Sequence, residues 1–206
     1  MRLVLLCVHL VVLGGCKAPG SCGAMSPDQW SHVDGTPISW RIDDKVWRIE
    51  PGSGSIRTLA TFQDVTIDLD FLIPIEETRP DSTGNSGVYV QNRYEIQILD
   101  SIDEGPVIHG CGAIYRFKSP DTDALMGRDQ WQRYHIKFTA PRFSDDNKIA
   151  DARMTVVHNG IVIHDDVAVT RKTGMGQPEG PAPGPIVLQD HGSAIHFRNI
   201  VITPRQ

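Results

Sequence analysis

The chain has 206 residues, of which 40% are hydrophobic and 22% are charged, as expected for a globular protein with one sizeable core. Its formal net charge is −5 and it contains no basic run. These properties argue against a nucleic-acid partner, because binding to phosphates requires a concentrated positive surface.

The first residues have the features of an export signal. A short positive segment is followed by an apolar run over 3–13, which is too short to span a bilayer. The run ends in LGGC, with the cysteine at Cys16, and this ending resembles a bacterial lipobox. We therefore expect 1–15 to be a lipoprotein signal peptide and Cys16 to carry a lipid anchor, in the bacterial periplasm or at the cell surface. An ordinary signal peptide that happens to contain a cysteine is the alternative.

Residues 16–25 are predicted to be a flexible tether, because they are rich in glycine, alanine and serine. The predicted folded domain is 26–206. After the signal peptide and the lipidated Cys16, two cysteines remain, Cys22 in the tether and Cys111 in the domain. They form a disulfide in one interpretation, whereas in the interpretation that we favour Cys111 is a small buried thiol.

Beyond the tether, nearly every apolar segment is short and alternates with polar side chains, as half-buried strands do. The clearest is 65–73, and Asn159-Gly160 between two apolar runs predicts a two-residue hairpin turn. The predicted strands are 46–49, 55–61, 65–73, 87–91, 94–99, 113–117, 132–140, 153–158, 161–169, 186–190 and 194–202.

No segment has a helical period over three turns, and glycine and proline fall between the strand candidates. Ten or more short strands without helices predict an all-β fold, an antiparallel β-sandwich or barrel. The longest stretch without predicted structure is 173–185, which we expect to be a surface loop beside a binding groove.

An acid and an amide share one face of a predicted strand, since side chains alternate along it: these are Glu95 and Gln97. With Asp100 they resemble the Glu-x-Asp-x-x-Glu arrangement of jelly-roll β-glucanases. Gln97 cannot ionise, which weakens a two-carboxylate mechanism. The alternative is a solvated sheet face on which Glu95 pairs with Arg93 or with a base of a neighbouring strand.

A second polar pair, Gln189 and His191, shares a face near the end of the chain. A histidine at a strand end followed by glycine is placed for general acid or base work, although lone histidines are more often structural. Arg198 on the next strand is a candidate to hold an oxyanion or a sugar hydroxyl, with a sheet-face salt bridge as the alternative. Asn85 and Tyr89 are candidate sugar contacts.

Seven motifs occur in the order in which the 3-keto-disaccharide hydrolase family carries them, so the chain between 40 and 204 closely resembles that family. The motifs are NSGVY (85–89) with RYEIQILD (93–100), GAIY (112–115), WQ (131–132), VHNG (157–160), GPI (184–186), LQDHG (188–192) and FRNI (197–200). The resemblance implies a jelly-roll sandwich of the concanavalin A-like lectin/glucanase type, common in secreted bacterial proteins and lipoproteins.

The resemblance also implies a reaction on 3-keto-glycosides. A ketone at C3 acidifies the hydrogen at C2, a base removes it, the group at C1 leaves by elimination, and water then adds. We expect His191 to be the base and Glu95 the acid or second base, with an exchange of these roles open. The substrate-binding residues would be Asn85, Tyr89, Arg93, Gln97, Gln189 and Arg198.

No cofactor is expected. A divalent metal would suit the enolate charge, but no ligand set is evident in the sequence. The expected partners are a carbohydrate substrate and, through Cys16, a membrane. Two other functions stay open: a non-catalytic carbohydrate-binding module of the lectin type, and a conventional β-glucanase-like hydrolase.

Overall fold

A computed structural model describes residues 23–76 and 83–206. The signal peptide, Cys16 and Cys22 lie outside the described residues, so their roles stay predictions. A short 3₁₀ turn, Pro27–Gln29, precedes the first strand. The strands are β1 (Trp30–His32), β2 (Arg41–Asp43), β3 (Val46–Arg48), β4 (Ile56–Thr58), β5 (Val65–Leu72), β6 (Ser86–Val90), β7 (Tyr94–Ile98), β8 (Gln132–Thr139), β9 (Arg142–Ser144), β10 (Asn147–Ala150), β11 (Ala152–His158), β12 (Ile161–Val169), β13 (Val187–Leu188) and β14 (His196–Pro204).

Two antiparallel sheets enclose the core. The larger has the strand order β12-β11-β8-β5-β14-β3-β2, and the smaller has the order β1-β4-β13-β6-β7. A separate two-stranded ribbon consists of β9 and β10. Strands distant in sequence are neighbours, since β13 lies between β4 and β6. The predicted all-β antiparallel sandwich of the jelly-roll type is therefore confirmed.

Alternation along the strands decides what each sheet buries. On β5 every second side chain, from Val65 to Phe71, is buried, and the intervening side chains are partly exposed. On β7 the aromatic and aliphatic residues Tyr94, Ile96 and Ile98 belong to the core. The other face of β7 consequently points away from the core, and this is the face that carries the polar pair predicted from the sequence.

Most predicted strands are present within one or two residues, and the turn at Asn159-Gly160 is confirmed, with φ values of 51° and 82°. The predicted strand 113–117 is wrong. Ile114 forms only isolated bridges, and the chain then turns at Arg116 with a φ of 54°. The four strands that the sequence did not reveal, β1, β2, β9 and β10, have three or four residues each, too few for a visible alternation.

Among residues 23–76 and 83–206, no helix is long and apolar enough to cross a membrane. Cys111 is a buried free thiol whose Sγ lies 3.3 Å from the Tyr134 hydroxyl. Its burial raises the pKa of the Cys111 thiol to about 11. The cysteine is therefore held as a neutral core residue.

Leu69→Ala tests the sandwich core. Leu69 is 1% exposed on β5, so its loss should lower the free energy of unfolding by about 2–5 kcal/mol. Val162→Ala on β12 is the control, because Val162 is 50% exposed and its loss should cost within about 0.5 kcal/mol. Urea denaturation measures both, and similar losses in the two variants would contradict the assignment of β5 to the core.

Candidate active site

A pocket of about 350 Å³ opens on the outer face of the smaller sheet. Its floor comes from β6, β7 and the segment that follows β13. Its rim comes from two loops, the turn loop (115–117) and the cover loop (171–175). The strand order explains why these elements lie side by side in the floor, because β13 pairs with β6 and β6 pairs with β7. The Gln189 N–H extends this pairing by donating to the Gly87 carbonyl at 3.0 Å.

The pocket brings together six of the eight residues singled out in the sequence. The fold brings the two polar pairs, far apart in the chain, to one surface, as the sequence interpretation expected. These six residues are Asn85, Tyr89, Glu95, Gln97, Gln189 and His191.

Glu95 is the central group of the floor. Its side chain is only 2% exposed, and its Oε2 accepts a hydrogen bond of 2.7 Å from the hydroxyl of Tyr89, the residue opposite it on β6. Burial raises the pKa of Glu95 from 4.5 to about 7, and the Tyr89 hydrogen bond acts in the opposite direction. Burial and the neighbouring Glu95 charge raise the pKa of Tyr89, so its hydroxyl keeps its proton and remains a donor.

Two glycines make room for the Glu95 carboxyl group. A methyl group at Gly174 would lie 2.2 Å from Oε2, and one at Gly87 would lie 2.7 Å from Oε1. Gly174 has a φ of 50°, a conformation that favours glycine. The preceding residue, Thr173, accepts a 2.7 Å hydrogen bond from the Glu95 N–H. The cover loop thus lies directly against the carboxyl group.

Neutral amides surround this acid. In one orientation Gln97 Nε2 donates to Asn85 Oδ1 at 3.1 Å. In the orientation that better satisfies its neighbours, it donates to Glu95 Oε1 at 3.1 Å and to the Ser86 carbonyl at 3.2 Å. Gln189 Oε1 is buried and has no hydrogen-bond partner within the described part of the chain. Because an unpaired buried oxygen is costly, it is suited to accept a hydroxyl hydrogen from a ligand.

His191 lies at the edge of the floor and its side chain is exposed. The preceding residue fixes this segment, since the Asp190 carboxylate accepts from the N–H groups of Gly52 and Gly54, at 2.9 and 2.8 Å, and from that of Gly192 at 2.8 Å. Asp190 is therefore a positioning residue for His191. The site combines one buried acid, one accessible imidazole and several amides, which are the groups that proton transfer and hydroxyl binding require.

Arg93 and Arg198 do not line the pocket. Arg198 lies on β14 in the larger sheet, where its Nε donates to Asp70 at 3.1 Å and its guanidinium lies 3.9 Å from the Trp131 ring centre. The sheet-face salt bridge, the alternative for Arg198, is the arrangement observed. Arg93 donates to the carbonyls of Pro178 and Ala182, at 3.0 and 2.8 Å. It secures the long loop that includes the cover loop, as expected for a loop beside the groove.

Asp100, the third acid of the glucanase-like spacing, also lies outside the pocket. It forms an ion pair with Arg128 at 2.5 Å, because β7 ends at Ile98 and the chain turns away. In the described ranges, no group of three or more histidine, cysteine, aspartate or glutamate side chains is placed to hold a metal ion.

The sequence interpretation missed the rim. Arg116 lies 5.3 Å above the ring of Tyr115, and Arg171 lies 5.1 Å above the ring of Phe117. Lys172 donates to the Gly174 carbonyl at 2.9 Å. Loops have no period from which the direction of a side chain can be inferred, and the turn loop had been interpreted as a strand. In the sequence, the only sign of this rim is that some of its positive residues are close to one another.

Comparisons with known proteins agree with this geometry. The family model of the 3-keto-alpha-glucoside-1,2-lyase-like domain matches residues 23–203, which confirms the resemblance seen in the motifs. A provisionally assigned glycosyl hydrolase from Parabacteroides distasonis is 30% identical, with a TM-score of 0.79 over 89% of this chain and 81% of its own. A second one from that organism is 18% identical, with a TM-score of 0.62 and coverages of 87% and 89%. Alginate lyase Aly36B shares the fold at 11% identity, with a TM-score of 0.54 and coverages of 90% and 93%. No curated protein sequence matches the chain.

Gly174→Ala tests the contact between the cover loop and Glu95. The added methyl group would displace the carboxyl group, and we expect it to lower the free energy of unfolding by about 1–3 kcal/mol more than the control does. The control is Gly35→Ala, which has a similarly left-handed φ of 90° but no atom within 4 Å of the added group. Urea denaturation gives both values, and equal losses would mean that the loop does not press on Glu95.

Glu95→Gln tests the raised pKa through the pH dependence of stability. Between pH 4.5 and about 7 the folded state keeps a proton that the unfolded state has lost, so Glu95 makes wild-type stability fall as pH rises through this window. The variant lacks this loss, and its stability relative to wild type should rise by about 3 kcal/mol from pH 4.5 to 8. His158 and His164, whose pKa values burial lowers to about 4, titrate in both proteins and cancel.

The control for this measurement is Glu104→Gln, since the side chain of Glu104 is half exposed in an ion pair with His109. Its stability relative to wild type should vary by less than about 0.5 kcal/mol over the same range. A flat difference for Glu95→Gln as well would show that the Glu95 pKa is not raised.

Proposed function

The chain belongs to the 3-keto-alpha-glucoside-1,2-lyase-like family, and from this premise we propose that it cleaves 3-keto-glycosides by elimination followed by addition of water. The family match and the similar solved structures indicate a carbohydrate-active protein of the lyase and hydrolase type. The 3-keto substrate is the finer part of the proposal. The observation that carries it is Glu95, a buried carboxyl group with a pKa of about 7 that is the only carboxylate on the pocket lining described. We further propose that the protein is exported and anchored at Cys16.

The single carboxylate argues against conventional glycoside hydrolysis. Retaining and inverting glycosidases in most families place two carboxyl groups on either side of the scissile bond. Here Glu95 is accompanied by Gln97, which does not ionise, and Asp100 is held elsewhere by Arg128. Elimination beside a ketone needs one base, one acid and donors for the developing enolate charge, and this set matches the pocket.

In the proposed first step His191 takes the proton from C2, and the electron pair of the C2–H bond moves into the enolate of the C3 ketone. The ketone then re-forms, a double bond forms between C1 and C2, and the C1–O bond breaks. Glu95 gives its proton to the leaving oxygen. Water then gives a proton to Glu95 and its hydroxyl group to C1, while protonated His191 gives a proton to C2, so both residues regain their starting states and the net reaction is hydrolysis.

The remaining floor residues hold the sugar in this scheme. The amides of Asn85, Gln97 and Gln189 supply donors and acceptors for the ketone and the ring hydroxyl groups. The Tyr89 hydroxyl fixes the orientation of the Glu95 carboxyl group through the 2.7 Å hydrogen bond. A pKa near 7 leaves about half of the Glu95 population protonated at neutral pH, which suits a general acid.

The experiment compares 3-keto-trehalose with trehalose as substrates of the wild-type protein. We expect cleavage of the keto sugar alone, and in D₂O a product that carries deuterium at C2. Glu95→Gln and His191→Ala should each lower kcat by about 10²-fold or more. Their matched controls are Glu104→Gln and His109→Ala, which change an exposed ion pair outside the pocket and should keep wild-type kcat.

Other outcomes decide between the remaining functions. Binding of sugars without any cleavage would favour the carbohydrate-binding module. Cleavage of trehalose alone would favour a conventional glycosidase. Full activity in both pocket variants would show that other residues carry the reaction.

The pH dependence of kcat assigns the two roles. As the acid, Glu95 must carry its proton, so kcat should fall as pH rises through about 7. A rise of kcat through the same range, lost in Glu95→Gln, would instead make Glu95 the base and exchange the roles of Glu95 and His191.

A further inference from the structure

The rim of the pocket carries three positive side chains that the reaction above does not use. They are Arg116, Arg171 and Lys172, and all three are exposed and line the pocket. In the part of the chain that the structure describes, none of them forms a salt bridge with a carboxylate. By contrast, Arg142 and Arg153 are paired with aspartates.

Neighbouring groups hold these three cations near the pocket. Each arginine lies over an aromatic ring of the turn loop, Arg116 over Tyr115 and Arg171 over Phe117. A guanidinium above a ring keeps its N–H donors available for a second partner. The Lys172 ammonium group uses one of its three protons to reach the Gly174 carbonyl, 2.9 Å away, and has two more donors.

The charges of the pocket do not balance. Three cations face one carboxylate, Glu95, which lies on the floor with the Tyr89 hydroxyl against it. The chain as a whole has a net charge of −5, so the rim is a positively charged region on a protein with a negative net charge. The amides of the floor are sufficient to form hydrogen bonds with a neutral sugar, and a neutral sugar does not require cations. An anion at the rim would be attracted electrostatically by all three cations.

We propose that Arg116, Arg171 and Lys172 bind an anionic group on the leaving-group side of the substrate, a carboxylate, sulfate or phosphate ester. The substrates are then acidic glycosides. The keto sugar occupies the floor, and the part that extends outward meets the rim, where the exposed side chain of Met175 adds an apolar contact. The glycoside part of this inference rests on the proposed function, whereas the anion site is defined by the rim alone.

The first test compares two aryl 3-keto-glucosides, one with 4-hydroxybenzoate and one with its neutral isostere 4-hydroxybenzamide as leaving group. The wild-type kcat/KM should favour the carboxylate by about tenfold at low ionic strength. The preference should decrease at high salt, because salt screens exposed charges. The double variant Arg171→Gln, Lys172→Gln should bring the ratio of the two substrates close to one. The control Lys137→Gln removes an exposed cation on the larger sheet and should keep the wild-type ratio.

The second test does not require turnover. Calorimetry measures the Kd of the corresponding unoxidised glucosides for wild type and the double variant. Tighter binding of the carboxylate by wild type, lost in the variant, supports the anion site even if no 3-keto-glycoside is cleaved, which would count against the proposed function alone. Equal Kd values for both ligands in both proteins overturn the anion site, whatever the turnover. The glucosides of 4-hydroxyphenyl sulfate and 4-hydroxyphenyl phosphate, added as further ligands, identify which anion the rim prefers.

Discussion

The burial of one carboxyl group on a sheet face is the constraint on which the site depends. An ionised carboxylate is unstable away from water, so Glu95 requires a specific environment. The Tyr89 hydroxyl, the Gln97 amide and the Thr173 contact to its backbone supply this environment. Burial raises the pKa of the acid to about 7 against the effect of the Tyr89 hydrogen bond, and a group with this pKa can both give and take a proton under ordinary conditions.

This constraint accounts for the long loop after β12. The loop returns across β7 and is held there by Arg93, whose side chain binds two of its carbonyl groups. Glycines occur where the loop meets the strands: a methyl group at Gly176 would lie 2.2 Å from the Arg93 carbonyl oxygen, as close as one at Gly174 would lie to Glu95. The sandwich supplies a rigid floor, and the loop supplies the burial that a sheet face alone lacks.

Alternation was sufficient to predict which side chains leave the core, because a strand has only two faces. It placed Glu95 and Gln97 opposite Tyr94 and Ile96, as the structure does. Alternation does not reveal the strand order, so Arg198 was grouped with the site although β14 belongs to the larger sheet. That Gln189 and Glu95 line one pocket follows from pairing between strands about a hundred residues apart, for which the family motifs were the only guide.

The pocket is divided between two kinds of structure. Its buried acid, Glu95, is on a strand whose neighbours are set by backbone hydrogen bonds, whereas its rim consists of side chains on two loops outside the ladders. A substitution in the floor therefore disturbs both the acid and the sheet, whereas one at the exposed cations of the rim, Arg116, Arg171 or Lys172, leaves both in place. Under the proposed function, substrate preference and chemical step are thus separately mutable, and proteins with this floor can diverge in the leaving groups they accept while keeping one reaction.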